Sequence, residues 1–181
     1  MGGSAALPDG FETPRLALRP IAPEDAGAIF DGYAQDAEVA RFLVWRPHRS
    51  RADTEAYIAQ CLAKPPHEAR TYVLAGREDR AVRGAFDLRR DDATRTGFGY
   101  VLARRWWGQG LMPEALAAVA DWALTQPGVF RISALCDVEN RASARVMEKA
   151  GLDREGLLRR RILCPNLADE PRDCFLYARV R

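Results

Sequence analysis

The order strand, helix, strand over residues 96–136 limits this chain's fold more than any other feature. TGFGYVLA (96–103) and FRISALC (130–136) read as strands. Between them Leu116, Val119, Ala120 and Ala123 recur at i, i+3, i+4 and i+7, which predicts a helix over 113–124. A helical crossover makes its two strands parallel neighbours and is right-handed. Upstream, TYVLAG (71–76) and VRGAFDLRR (82–90) are strand-like, and the short turn-like links REDRA and DDATR imply an antiparallel meander with 96–103. The fold class is therefore α/β with a mixed sheet: mostly antiparallel, one parallel strand pair, and flanking helices.

The remaining segments fill in around this centre. TPRLALRPI (13–21) alternates as a first strand, and Pro23 with Glu24 and Asp25 opens a helix. Residues 36–50 read as irregular, with Trp45 exposed; 51–63 read as a helix. NRASARVMEKA (140–150) is a helix closed by Gly151, and strands near 157–163 and 173–180 end the chain. We expect a flexible arm over residues 1–10 and a single domain over 11–181.

Ligands of such sheets bind at the carboxyl ends of strands, beside the following helix. RRWWGQGLM (104–112) occupies that place. It is no Walker loop, since the chain has no Gly-Lys, and neither Gly97/Gly99 nor Gly108/Gly110 has the third glycine of a dinucleotide fingerprint. Two glycines before a helix permit positive φ and a concave row of N–H groups that suits a pyrophosphate. Pro113 has no N–H, so the donors come from the residues before it. On the residues alone, an anion site and a ligand-free tight turn are equally good readings.

The wording of the loop is more specific. Arg105-x-x-Gly108-x-Gly110 resembles the [QR]xxGx[GA] loop of the GNAT acyltransferases, and WGQGLMPEAL looks like their RimJ/RimL branch. TPRLALRPI, DVENRASARVMEKAGLDREG (137–156) and PRDCFLYARVR are similar to further segments of that branch, so the resemblance runs from about residue 12 to 181. It implies an acetyl-CoA-dependent N-acetyltransferase. The cofactor's pyrophosphate would lie on Arg105, Trp107, Gly108, Gln109, Gly110, Leu111 and Met112. Its pantetheine arm would run along Val101, Leu102 and Ala103 as an added strand, bonded to the backbone of Val101 and Ala103. Asn140 matches a residue that contacts the arm, and also suits the N-cap of its helix. Ser143 matches the position of a hydroxyl near the thioester sulfur; helical spacing puts it on one face with Met147 and Ala150, where a hydroxyl bonded back to a carbonyl is the alternative. Some relatives carry a glutamate base in the strand after the Glu-Gly pair, whereas LLRRRIL (157–163) has no acid; Glu155, the Glu of the pair, suits an ion pair equally.

The implied reaction is direct attack of a primary amine on acetyl-CoA through a tetrahedral intermediate, with a backbone N–H such as that of Val101 at the oxyanion and Ser143 at the leaving sulfur. A protein α-amino group, with a pKa of about 7.7–8.0, needs less help to become neutral than a lysine at about 10.4. Acceptors include a peptide N-terminus or a small amine, met by Trp45 and Asp87. A non-catalytic acyl-CoA-binding or sensing domain is the reading from another class.

Composition bounds these readings. Formal net charge is +2, and no basic stripe stands out, which speaks against a dedicated nucleic-acid binder. No apolar run approaches the ~20 residues of a membrane span, and MGGSAALPDG is not a signal peptide. Cys61, Cys136, Cys164 and Cys174 form no CxxC pair and no zinc spacing, so we expect free thiols, no metal and a cytoplasmic monomer or homodimer.

Overall fold

A computed structural model describes residues 6–181, which build one eight-stranded sheet in the order β1-β2-β3-β4-β5-β6-β8-β7. The strands are β1 (Phe11–Glu12), β2 (Leu16–Pro20), β3 (Ala69–Gly76), β4 (Val82–Arg90), β5 (Arg95–Leu102), β6 (Arg131–Asp137), β7 (Asp153–Ile162) and β8 (Arg172–Val180). Every neighbouring pair is antiparallel except β5 and β6, the pair joined by the helical crossover. That exception follows from the crossover's length: a parallel neighbour needs a connection of about a dozen residues or more, and the helix between β5 and β6 supplies it.

Alternation along the strands sends side chains to two cores. On one face Leu16, Leu18, Tyr72, Leu74, Phe86, Leu88 and Phe98 meet α4 (Leu111–Thr125), whose Leu116, Val119, Ala120 and Ala123 are buried at the helical spacing seen in the sequence. Met147 of α5 (Arg141–Lys149) closes this core. On the other face Val73, Ala85 and Ala103 meet Ile29, Tyr33 and Ile58. These come from α1 (Ala26–Ile29), which is flanked by a 3-10 turn at Pro23–Asp25 and a π turn at Phe30–Ala34, and from α3 (Arg51–Leu62). Ser50 caps α3, accepting from Asp53 N, while Asp53 Oδ2 accepts from Ser50 N.

Three expectations need correction. The stretch 36–50 is not wholly irregular: Asp36 Oδ1 accepts from Glu38 N and Val39 N and so starts α2 (Ala37–Ala40). β7 begins at Asp153, ahead of the expected 157, because pairing with β8 starts at Asp153↔Ala178. The expected flexible arm is docked from residue 7 on. Leu7 is buried with its N–H donating to Pro66 O, Tyr72 Oη donates to Pro8 O, and Arg70 pairs with Asp9. Residues 1–5 of that arm lie outside the described residues.

Candidate active site

β5 leads through a 3-10 turn at Arg104–Trp106 into the glycine loop. Gly108 and Gly110 both have φ near +74°, and Gly110 is the N-cap of α4. A β-carbon at Gly108 would meet nothing within 4 Å, and one at Gly110 only Arg15 Nη2 at 3.5 Å. Backbone conformation, not crowding, therefore demands the glycines. Among the described residues no backbone acceptor meets the N–H groups of Gly108, Gln109 or Gly110. Those of Leu111 and Met112 have no intrahelical partner because they lie in the first turn. Consecutive donors thus gather at the positive end of a 15-residue helix, an arrangement that suits an anion.

The loop is held from behind. Arg15 Nη1 donates to Gln109 O at 2.8 Å and Arg15 Nε to Glu114 Oε2 at 2.7 Å, while Thr13 Oγ1 and Arg15 N donate to Glu114 Oε1 at 2.6 and 2.9 Å. Burial opposes the charge of Glu114, but the bonds from Thr13 and Arg15 outweigh it and hold the carboxyl below its usual range. Arg105 is exposed at the loop's edge, and its carbonyl accepts from Gln109 Nε2. Trp107 folds back so that its Nε1 donates to Leu102 O at 2.7 Å.

Next to the loop the sheet opens. β5 and β6 pair only at Arg95↔Arg131, Thr96↔Ile132 and Gly97↔Ser133, and then splay apart. The register corrects one expectation. Ala103 N donates to Arg83 O at 2.8 Å, and Val101 lies opposite Ala85, so the odd residues of this stretch turn their backbone groups toward β4. Val101 and Ala103 are therefore spent in the sheet, as pantetheine contacts and as an oxyanion donor alike. The backbone groups that face the gap are those of Tyr100 and Leu102, as the Trp107 bond to Leu102 O shows.

α5 forms the far wall of the gap. Asn140 Oδ1 accepts from Ser143 N at 3.1 Å, so the cap role is present and leaves the amide nitrogen over. Ser143 Oγ lies 2.8 Å from Tyr100 Oη, which also reaches Ser143 O at 3.3 Å. Cys136 lies beside the same serine, and burial pushes its thiol up to about 11. The turn before α5 is fixed by a residue pair that motif reading missed. Asp137, buried, accepts from Arg172 Nε at 2.6 Å and from Glu139 N at 2.9 Å.

The opposite face of the sheet carries the expected acceptor residues. Asp87 is half-buried on β4; it accepts from Thr71 Oγ1 at 3.1 Å and lies 3.8 Å from Lys64 Nζ. Gly99 lies opposite it on β5, where a β-carbon would meet nothing within 4 Å, so this face stays open beside the gap. Trp45 is half-buried, not exposed as its sequence suggested. Its ring lies 5.3 Å from that of His48, and Asn166 Nδ2 donates to its carbonyl at 2.8 Å, pinning the loop to the β7–β8 turn. His48 in turn lies 5.9 Å from Tyr57 and shares a 2.8 Å hydrogen bond with Thr54 Oγ1. Burial lowers its imidazole below the ordinary value, against the pull of Asp53. Glu155 makes a bidentate ion pair with Arg131, as one of its two readings had it. Among the described residues no group of His, Cys, Asp and Glu could hold a metal ion, and no helix is long and apolar enough to cross a membrane.

A sheet split beside a glycine-rich helix start is the arrangement of an acyl-CoA enzyme. Residues 15–153 match the family described as the acetyltransferase (GNAT) domain, and the chain belongs to that family of acetyl-CoA-dependent N-acetyltransferases. It is 30% identical over 153 residues to the uncharacterized N-acetyltransferase YoaA of Bacillus subtilis (strain 168), covering 82% of this chain and 85% of that protein. Among solved structures, a GNAT-family acetyltransferase from Bacillus anthracis superimposes with a TM-score of 0.82 at 23% identity, over 94% of this chain and 98% of the other. RimL, a ribosomal L7/L12 alpha-N-protein acetyltransferase in complex with coenzyme A, gives 0.80 at 20% identity over 97% and 98%. These two likenesses are likenesses of fold.

Proposed function

We propose that residues 11–181 act as one catalytic domain of the RimJ/RimL kind, which moves acetyl from acetyl-CoA to an α-amino group of a peptide or protein, in the cytoplasm. One observation carries this reading: the glycine loop with its free N–H groups at Gly108–Met112 follows the end of β5 where β5 and β6 have parted, with the Ser143 hydroxyl reached by Tyr100 on one side and open space at Gly99 on the other. The pyrophosphate lies on the loop's N–H groups. The pantetheine follows the edge of β5 at Tyr100 and Leu102, with Trp107 shifting off the Leu102 carbonyl or walling the arm. The sulfur comes to rest by Ser143.

The amine enters from the other face, over Gly99, between Asp87 and the Trp45–His48–Tyr57 wall. It attacks the thioester carbon; the carbonyl re-forms, the C–S bond breaks with its electron pair going to sulfur, and the nitrogen loses its proton to solvent. The backbone N–H of Leu102 or Tyr100 serves the oxyanion. The acid-free stretch 157–163 supports an acceptor that is neutral near pH 7–8 without a strong base, which an α-amino group is. The alpha-N-protein activity in the name of RimL points the same way.

A screen with labelled acetyl-CoA tests this. Peptides with a free α-amino group should be acetylated in preference to N-blocked lysine peptides and to small polyamines. Preference for lysine peptides or small amines would reassign the acceptor, and coenzyme A binding without turnover of any amine would favour the sensing domain.

A further inference from the structure

We propose that Tyr100 is a positioning residue for the leaving group: its phenolic O–H donates to Ser143 Oγ and so leaves the serine's own proton free for the sulfur of coenzyme A. The inference rests on the placement of the sulfur by Ser143.

The geometry of the tyrosine supports this. Its ring stacks with those of Phe86 and Phe98, at centroid distances of 6.3 and 6.1 Å and interplanar angles of 26° and 13°. The phenol is therefore aimed by the core and does not swing. Tyr100 also lies beyond the last paired residues, Gly97↔Ser133, at the point where β5 and β6 have separated. Its hydroxyl crosses the gap to α5 and ends on the one residue there that carries a hydroxyl toward it.

Two acceptors compete for one phenolic proton, Ser143 Oγ at 2.8 Å and Ser143 O at 3.3 Å. The carbonyl lies inside α5 and takes the ordinary helical bond from four residues on. The hydroxyl has no such partner, and its contact is the shorter. A serine that accepts a hydrogen bond from tyrosine turns its own proton to another acceptor: the neutral Cys136 thiol beside it or the sulfur of coenzyme A in the gap, which is the stronger acceptor once it carries charge. Burial keeps Tyr100 protonated well above the ordinary phenol value, so the donor persists through neutral and mildly alkaline pH. Asn140 fixes the serine's backbone N–H, which leaves only the side chain to be oriented.

When the C–S bond breaks, sulfur takes the electron pair and Ser143 donates a hydrogen bond to it. Tyr100 stabilises the partial negative charge this leaves on Ser143 Oγ. No net proton transfer from the tyrosine is needed, and no further reactant.

Tyr100→Phe keeps the three stacked rings and removes the hydroxyl alone. The first measurement needs no acceptor: calorimetric affinity for coenzyme A against desulfo-coenzyme A at pH 9, where much of a free thiol of ordinary pKa about 8.5 is ionised. The wild-type preference for the thiol-bearing ligand should fall about 3- to 10-fold in Tyr100→Phe and by the same factor in Ser143→Ala, while desulfo-coenzyme A binds all three proteins alike. The double variant should fall no further than Ser143→Ala. The second measurement is acetylation of a peptide with a free α-amino group: kcat should fall about 3- to 10-fold with the KM for acetyl-CoA unchanged, and an acetyl thioester of a more acidic thiol should restore much of the loss. An unchanged Tyr100→Phe beside an impaired Ser143→Ala overturns the role of Tyr100 alone. Multiplying losses in the double variant overturn it too, by making the tyrosine a separate packing residue. A Ser143→Ala protein that keeps both the preference and kcat removes the serine's role and the tyrosine's with it. A peptide that wild type does not acetylate, beside a thiol preference that behaves as stated, counts against the proposed acceptor and supports the tyrosine.

Discussion

Arg15 Nε lies 2.7 Å from Glu114 Oε2, joining the start of β2 to the first turn of α4 across 99 residues of chain. Because the same guanidinium also holds Gln109 O, the pair ties the first long strand to the glycine loop. An exposed ion pair by itself contributes little. Glu114, however, is mostly buried and accepts from two further donors, Thr13 Oγ1 and Arg15 N.

Replacing Glu114 with alanine leaves these donors without their acceptor and should lower stability by about 1–3 kcal/mol in urea denaturation. The pH dependence has a definite sign. The folded carboxyl titrates below its unfolded value of about 4.3, so its stabilisation is complete above that pH and is lost as pH falls through the lower folded value. The stability difference between wild type and Glu114→Gln should therefore shrink on acidification below about pH 4. A difference that stays constant down to pH 2 would show that the charge contributes nothing.

Asp137 and Arg172 make a second prediction. Asp137 has no exposed side-chain surface, and Arg172 is its main counter-charge. Arg172→Met should cost about 3–5 kcal/mol by leaving a buried carboxylate uncompensated. Replacing both residues with apolar ones of similar volume should recover most of this. A loss below about 1 kcal/mol in the single variant would place Asp137 in contact with water.

On the face proposed for the acceptor, Asp87→Asn should raise the KM for a peptide amine about tenfold, the scale of a hydrogen bond to a charged group, and leave the KM for acetyl-CoA unchanged. Gly99→Val, which fills the open face without meeting a neighbour, should do the same. Steady-state kinetics with each substrate varied in turn separate the two effects. A change confined to acetyl-CoA would move the acceptor away from this face.

All four cysteines are buried and unpaired, and burial raises the thiols of Cys136, Cys164 and Cys174. A thiol reagent at pH 8 should react slowly with the native protein and find four groups after denaturation without reductant. Fewer than four would reveal a disulfide.

The centre of the fold was legible because its signals are local. Helical spacing of Leu116, Val119, Ala120 and Ala123, and the glycine pair before them, need no knowledge of neighbours. What failed depended on contacts distant in sequence. The chain shows that 96–103 is a strand, but whether odd or even residues turn to the gap depends on which edge β4 occupies, hence the misplacement onto Val101 and Ala103. The Tyr100 contact with Ser143 joins residues 43 apart, and the Trp45 carbonyl is held by Asn166, 121 residues away. No spacing rule reaches that far. For Asn140 and Glu155 the local roles, a helix cap and an ion pair, were readable and are present.

The central claim is that the backbone of Gly108–Met112 holds the pyrophosphate of acetyl-CoA, and calorimetric titration of coenzyme A into wild type and Gly110→Val tests it most directly. A β-branched side chain at φ near +74° costs about 1–2 kcal/mol of strain, and on this account it would intrude on the phosphates. The account predicts at least about a tenfold loss of affinity, some 1.4 kcal/mol, in a variant that still unfolds cooperatively. Unchanged affinity for coenzyme A in folded Gly110→Val would contradict it.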